Sequence, residues 1–173
     1  MNEIEGKILA VNVPEIEKKL LDLGAKKVFD GTLVATAFDF PDKRFSRQEV
    51  LIRLRKEDDL TKLTYKKLLN TDEAKISEEI EVEVNDFNAM EKILLAIGLE
   101  PKRGYPFTKH RISYLLNGVH FELDTIAQFP TYLEIEAPTN KIMKDYAQKL
   151  GFSVTDIKPW GTREIFAYYQ TKQ

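Results

Sequence analysis

The triplet Glu-Ile-Glu stands at Glu3-Ile4-Glu5, at Glu79-Ile80-Glu81 and at Glu134-Ile135-Glu136, with a fourth copy at Glu15-Ile16-Glu17. In an extended chain successive side chains point to opposite faces, so each strand copy sets two carboxylates on one side and an isoleucine on the other. The longest version, SEEIEVEV over residues 77–84, opposes Glu79, Glu81 and Glu83 to Ile80, Val82 and Val84. Which of the two faces is buried decides what this sheet is for, because a carboxylate taken out of water needs a partner.

The same split runs through the chain. Val50, Ile52 and Leu54 oppose Arg53 and Arg55; in LTKLTYKKLL, Lys62, Thr64 and Lys66 oppose Leu63, Tyr65 and Leu69, with Lys67 on the apolar side. Lys109 and Arg111 oppose His110, Ile112 and Tyr114; His120, Glu122 and Asp124 oppose Phe121 and Leu123; Tyr132, Glu134 and Glu136 oppose Leu133 and Ile135. The opening strand sets Glu3, Glu5 and Lys7 against Ile4 and Ile8. With a weaker strand at LVATAFDF the tally is about eight, a number at which an antiparallel sheet can close into a barrel.

Three segments carry helical periodicity instead: Pro14 to Leu23, Asp86 to Ile97 and Thr139 to Leu150, each followed or closed by a glycine (Gly24, Gly98, Gly151). Each follows a Glu-Ile-Glu strand, which makes a weak internal repeat of strand, connection, helix and glycine. The fourth triplet belongs to the first of these helices. There Glu15 and Glu17 suit the positive end of the helix dipole and Pro14 suits the first turn.

The whole chain bounds the possibilities. Its 173 residues, 43% hydrophobic and 31% charged, read as one globular domain over residues 1–173. Lys and Arg number 26 against 28 Asp and Glu, which argues against a nucleic-acid partner held by overall positive charge. The absence of cysteine excludes disulfides, thiolate catalysis and zinc-thiolate sites. No apolar run approaches the ~18 residues of a membrane span and no N-terminal apolar h-region is present, so no membrane partner and a cytoplasmic location are expected.

Two architectures remain: an open sheet whose charged face is simply solvated, or a closed α+β barrel with apolar faces turned out to helices and charged faces turned in. The charges are segregated, acids on the first, fourth, sixth and seventh clear strands and bases on the second, third and fifth, which favours the barrel. Its interior would hold Glu3, Glu5, Glu79, Glu81, Glu83, Glu122, Asp124, Glu134 and Glu136 with Lys7, Arg53, Arg55, Lys66, Lys109 and Arg111. A guest matching that inventory is a polyanion carrying Mg²⁺ or Mn²⁺, because carboxylates suit these hard cations while guanidinium and ammonium groups grip phosphate oxygens.

Glu3-x-Glu5-x-Lys7 resembles the ExExK signature of the CYTH, or triphosphate tunnel metalloenzyme, family, which includes class IV adenylyl cyclases and thiamine triphosphatases. The resemblance continues in order through LIRLR, LTYKK, EEIEVEV, KHRISY, FELDTI and YLEIEA. It implies a closed eight-stranded antiparallel β-barrel with helices packed outside and a triphosphate bound in the lumen. On it, Glu3, Glu5, Asp124, Glu134 and Glu136 become metal ligands. Lys7, Arg53, Arg55, Lys66, Lys109 and Arg111 become phosphate contacts, with Glu5, Lys7, Arg55 and Lys66 as the catalytic set and Glu79, Glu81 and Glu122 as further lumen acids. Family analogy also implies a homodimer. Two departures stand out: TIAQFPTY lacks the leucine-glycine pair many members carry after the aspartate, and Ser77 stands where a basic residue often precedes the fourth strand's glutamates.

The expected chemistry is displacement at phosphorus on a small-molecule triphosphate: ATP, thiamine triphosphate or tripolyphosphate. An adenylyl cyclase would direct a ribose 3′-hydroxyl at the α-phosphorus and a triphosphatase would direct water at the terminal one. No pattern that reads adenine separates the two. A polyphosphate- or nucleotide-binding module without turnover is the alternative, although pure anion binding would omit repelling carboxylates. In the tail IKPWGTREIFAYY, Lys158 and Arg163 could reach a phosphate, but a helix capping the barrel through Trp160, Ile165 and Phe166 is the favoured role. His120 shares a face with Glu122 and Asp124, whereas His110 should face outward.

Overall fold

The computed structural model describes residues 2–104, 107–127 and 129–171. Gln128, inside the divergent TIAQFPTY stretch, falls outside them. The strands are β1 (Asn2–Ile8), β2 (Lys26–Asp39), β3 (Val50–Glu57), β4 (Leu60–Asn70), β5 (Lys75–Val84), β6 (Glu100–Pro101), β7 (Phe107–Leu116), β8 (Val119–Ile126) and β9 (Tyr132–Ala137). Their order is β3-β4-β5-β1-β9-β8-β7-β2, and β2 returns to pair with β3, so the sheet closes into an eight-stranded antiparallel barrel. β6 lies outside, paired with the end of β2 through Phe38–Pro101 and Asp39–Glu100. The α+β barrel class is therefore as the parity pattern and the resemblance imply.

The helices are α1 (Val13–Asp22), α2 (Arg44–Arg47), α3 (Phe87–Ala96), α4 (Asn140–Lys149) and α5 (Thr162–Gln170), with a 3₁₀ turn at Val154–Asp156. α1, α3 and α4 are the three periodic segments. Their N-caps Asn12, Asp86 and Thr139 accept from the backbone N–H of Glu15, Ala89 and Ile142. Gly24, Gly98 and Gly151 follow their C-caps with φ of +88°, +93° and +93°, a conformation in which glycine carries no Cβ penalty. Among the described residues no helix is long and apolar enough to cross a membrane.

The chain divides into two compact units. One comprises Glu3–Asp30, Leu69–Ile76 and His110–Gln173. In it the apolar rows of β1, β8 and β9 are covered by α1 and α4: Ile8, Phe121, Leu123, Leu133 and Ile135 are buried with Ile16, Leu20, Met143, Ala147 and Leu150. A second cluster, Ile126, Tyr132 and Ile165, docks α5 with Trp160 and Phe166 packed against it. Gly6 sits in the outward row between Ile4 and Ile8, where a Cβ would meet Ile157 Cγ2 at 2.5 Å and Met143 Sδ at 2.8 Å. The glycine in the opening motif is thus what lets α4 and the 3₁₀ turn approach β1.

The other unit is built on Gly31–Leu68 and Ser77–Lys109. Its cover is α3, which packs on β3 and buries Phe38, Leu54, Leu94 and Leu99 with Ile52, Leu63, Val84 and Met90 alongside. The expectation that every apolar row turns to a helix fails on β5. Ile80 and Val82 are 57% and 50% exposed, since the short α3 covers the strand only near Val84. β2 is also longer than its weak alternation suggests, and β6 and α2 are too short to show any period.

These packings predict opposite responses at two outward-row positions. Gly6→Ala should lower stability by about 1–3 kcal/mol through overpacking, whereas Ile80→Thr should change it by less than about 0.5 kcal/mol. Urea unfolding of both variants measures the contrast.

Candidate active site

In the unit that holds β1, β8 and β9, register aligns the charged rows. Glu5 stands opposite Glu136 and Lys7 opposite Glu134 across β1 and β9; His120, Glu122 and Asp124 on β8 stand opposite Glu136, Glu134 and Tyr132. Lys7, only 2% exposed, places Nζ 2.9 Å from Glu5 and 2.7 Å from Glu134. Burial would lower its pKa, but Glu134 and Glu5 outweigh burial and hold the ammonium firmly charged. Lys75, at the start of β5, adds a second ammonium 2.5 Å from Glu5.

Arg111 of β7 is the second hub. Its Nε and Nη2 donate to the two oxygens of Asp124 at 2.7 and 2.6 Å, a bidentate fork, and Glu122 and Glu134 lie 3.5 and 3.7 Å away. Burial opposes the charge, yet Asp124, Glu122 and Glu134 raise the guanidinium pKa well above its ordinary value. Glu122 accepts from the Ser113 hydroxyl. Burial pushes the Glu122 carboxyl up, with Asp124 and Glu134 adding to it and Arg111 opposing.

Tyr132 is 1% exposed beside these acids, and its hydroxyl makes no well-formed hydrogen bond among the described residues. Burial and the Asp124 and Glu134 carboxylates raise its pKa well above that of a free phenol.

The β2–β5 unit carries its own network. Arg55 reaches Glu57 at 2.8 Å and Glu81 at 3.2 Å; Lys62 reaches the same two acids at 3.4 and 3.2 Å; Lys66 lies 3.2 Å from Glu79. Thr64, fully buried, donates to Glu81 at 2.9 Å. Burial raises the Glu81 pKa, but Arg55, Thr64 and Lys62 outweigh it, and the net shift is downward. Arg53 stands opposite Thr64 and Ala37, and Arg55 opposite Lys62 and Ala35; the two alanines leave room beside the guanidinium groups. Arg53 Nε is buried with no hydrogen-bond partner among the described residues. Lys109 is buried as well, at 8% exposure.

The residues singled out in the sequence thus fall into two sets. Glu5, Lys7, Arg111, Glu122, Asp124, Glu134 and Glu136 are gathered on β1, β7, β8 and β9, with Glu3 half-buried further along β1. Arg53, Arg55, Lys66, Glu79 and Glu81 are gathered on β3, β4 and β5. Lys158 and Arg163 turn elsewhere: Lys158 Nζ donates to the Thr155 carbonyl and the Arg163 side chain is 94% exposed. His110 points outward to Asp30 at 3.2 Å, and His120 is half-buried on the Glu136 row.

Sequence reasoning set Tyr132 on the acid row of its strand without giving it a role, and passed over Lys75, Ser113 and the two alanines. Lys75 shares parity with Glu79 and Glu81, and Ser113 with Arg111, so their signal was present but uncharged or outside the quoted run.

Among the described residues no three His, Cys, Asp or Glu side chains form a ready-made metal cage. The donor chemistry nevertheless suits Mg²⁺ or Mn²⁺, which commonly take one or two protein carboxylates and complete their shell with water and substrate phosphate. Glu5 opposite Glu136 offers such a pair, with Lys7 and Lys75 supplying the positive charge that two directly opposed carboxylates need.

An antiparallel eight-stranded barrel whose strands carry rows of buried, mutually paired acids and bases is a class of its own among β-proteins. The chain belongs to the CYTH-domain family, whose model matches residues 1–157. Among solved structures, the PH1012 protein of Pyrococcus horikoshii OT3 is 29% identical, with 94% of this chain and 98% of that one covered and a TM-score of 0.78. A candidate adenylate cyclase of Vibrio parahaemolyticus superposes with a TM-score of 0.82 at 16% identity, covering 95% and 97% of the two chains. A candidate adenylyl cyclase of Hippeastrum, described as having a dominant triphosphatase activity, gives 0.67 at 15% identity over 99% and 96%. At those two identities the likeness concerns the fold alone. No curated protein sequence matches the chain significantly.

Two measurements probe the networks. Arg111→Ala should cost about 3–5 kcal/mol by leaving buried carboxylates uncompensated, read from urea unfolding. Glu81, with its folded pKa depressed, adds stability above the unfolded carboxyl value of about 4.3 and loses it as pH falls through the folded value. Glu81→Gln should therefore flatten the acid limb of the stability–pH curve.

Proposed function

We propose that the protein is a divalent-metal-dependent phosphoryl-transfer enzyme acting on a small-molecule triphosphate bound in the barrel. The observation that carries this reading is the pairing pattern: acids and bases are buried together on the inner rows, Lys7 and Arg111 foremost, in place of a solvated face. Family membership and the fold of the Vibrio and Hippeastrum proteins support the same substrate class.

In this reading Lys7, Arg53, Arg55, Lys66, Lys109 and Arg111 bind phosphate oxygens, and Arg53, with its unmet donor, is the first to gain from an anion. Glu3, Glu5, Asp124, Glu134 and Glu136 hold Mg²⁺ or Mn²⁺, which when bound would neutralise phosphate charge and polarise the reacting phosphoryl group. The chain's own part is positioning and charge: Lys7, held between Glu5 and Glu134, keeps a fixed cation beside the acids, and Arg55 and Lys66 offer theirs from β3 and β4. Water as nucleophile makes the enzyme a triphosphatase and a ribose 3′-hydroxyl makes it an adenylyl cyclase.

Incubation with ATP, thiamine triphosphate or tripolyphosphate and Mg²⁺ or Mn²⁺ tests the reading. Orthophosphate release identifies the hydrolase, cyclic AMP with pyrophosphate the cyclase, and tight binding without product would replace both with a binding module. Glu136→Gln should lower turnover by about 10²-fold or more while leaving the circular dichroism spectrum unchanged; a wild-type rate in that variant would remove Glu136 from the metal site.

A further inference from the structure

On β5 the row that carries Glu79, Glu81 and Glu83 continues back to Ser77. Glu79 lies 3.2 Å from Lys66 and Glu81 accepts from Thr64 at 2.9 Å, so this row faces the cations and hydroxyls of β4. Ser77 is the most deeply buried residue of the strand, at 1% exposure, and its hydroxyl has no hydrogen-bond partner among the described residues. Other buried hydroxyls on the charged rows behave differently: Thr64 donates to Glu81 and Ser113 to Glu122. Ser77 donates to nothing, although Glu79 stands only two positions along its own row. Buried polar groups nearly always find a partner, so a hydroxyl held on this row without one is suited to a guest that brings its own acceptors.

We propose that Ser77 is a substrate-binding donor whose hydroxyl contacts a phosphate oxygen of the triphosphate. The proposal rests on the triphosphate reading above and adds a neutral contact that the reading itself does not use. Residues two apart on one face of a strand are about 7 Å apart, within the span of a chain of three phosphates. A triphosphate that engages Lys66 beside Glu79 therefore has oxygens to offer at the next inner position, Ser77. A hydroxyl there donates to an anionic oxygen, which makes a stronger bond than one to a neutral acceptor, and it adds no cation that would need a carboxylate when the substrate leaves.

The test compares wild type with Ser77→Ala. Binding of a non-hydrolysable tripolyphosphate analogue and of a non-hydrolysable ATP analogue, each with Mn²⁺, is measured by titration calorimetry, and the Tm of the unliganded protein is recorded alongside. Both Kd values should rise about tenfold, the loss expected for one hydrogen bond to a charged group. They should rise by the same factor, because the contact is to the phosphate chain that the two ligands share. Tm should stay at or above wild type, since the variant removes a hydroxyl that meets nothing in the folded protein. Kd values within twofold of wild type overturn the proposal alone. A loss confined to the ATP analogue also overturns it, by placing Ser77 at the organic group, and a Tm below wild type does so by tracing the loss to the fold. Absence of triphosphate binding in wild type overturns the triphosphate reading and this proposal with it.

A structure of the wild-type complex decides the matter independently of the variant. It should show Ser77 Oγ about 2.7 Å from a phosphate oxygen; a phosphate chain bound beyond hydrogen-bond reach of Ser77 would refute it.

Discussion

Everything in this fold follows from the need to compensate charge that has been taken out of water. A buried carboxylate or ammonium costs several kcal/mol even after relaxation, so the inner rows depend on their ions meeting opposite ones. The register supplies those meetings. Glu134 faces Lys7 across one strand boundary and Glu122 across the other, and Arg111 reaches Asp124 with both arms of its guanidinium. Such pairing rarely adds net stability over an apolar core, so the buried ions are not explained by stability alone.

The apolar rows obey the complementary rule, and unevenly. Where two helices lie over β1, β8 and β9, the outward Ile8, Phe121, Leu123, Leu133 and Ile135 are sealed to within 2% exposure. Where α3 lies over β3, cover stops short of Ile80 and Val82. Alternation in a strand says which side chains share a face; it does not say how far along the strand a helix will extend. For that reason the barrel was legible in the sequence while the bare stretch of β5 was not.

Legibility of the site divides in the same way. Glu5, Lys7, Arg55, Arg111, Asp124 and Glu134 announce themselves because a charge recurring at every second position has no cheap explanation, and the family motifs set them in order. Tyr132 carries no formal charge, so parity places it on the acid row beside Glu134 without pointing to a role for it. Gly6 reads as a neutral spacer between Glu5 and Lys7, although it is the position at which Ile157 and Met143 close on the strand. Ala35 and Ala37 look like filler in a weak strand until register sets them beside the arginines. What escaped was every residue whose importance lies in space left open or in a group left unmet, because neither has a periodicity.

The pairing of the cations then bears on how a triphosphate, on the proposed reading, would enter. Arg111, Lys7, Arg55 and Lys66 are each engaged with a carboxylate, so an arriving phosphate must compete with an existing ion pair rather than fill a vacancy. An anion alone does so at a loss, since it displaces a carboxylate and leaves that charge uncompensated. An anion carrying a divalent cation offers both halves of the exchange at once: phosphate for the arginines and lysines, metal for the acids they release. On the proposed triphosphate reading, the paired interior would select for metal–polyanion complexes over either ion by itself, a specificity that neither an all-basic cleft nor an all-acidic one could produce.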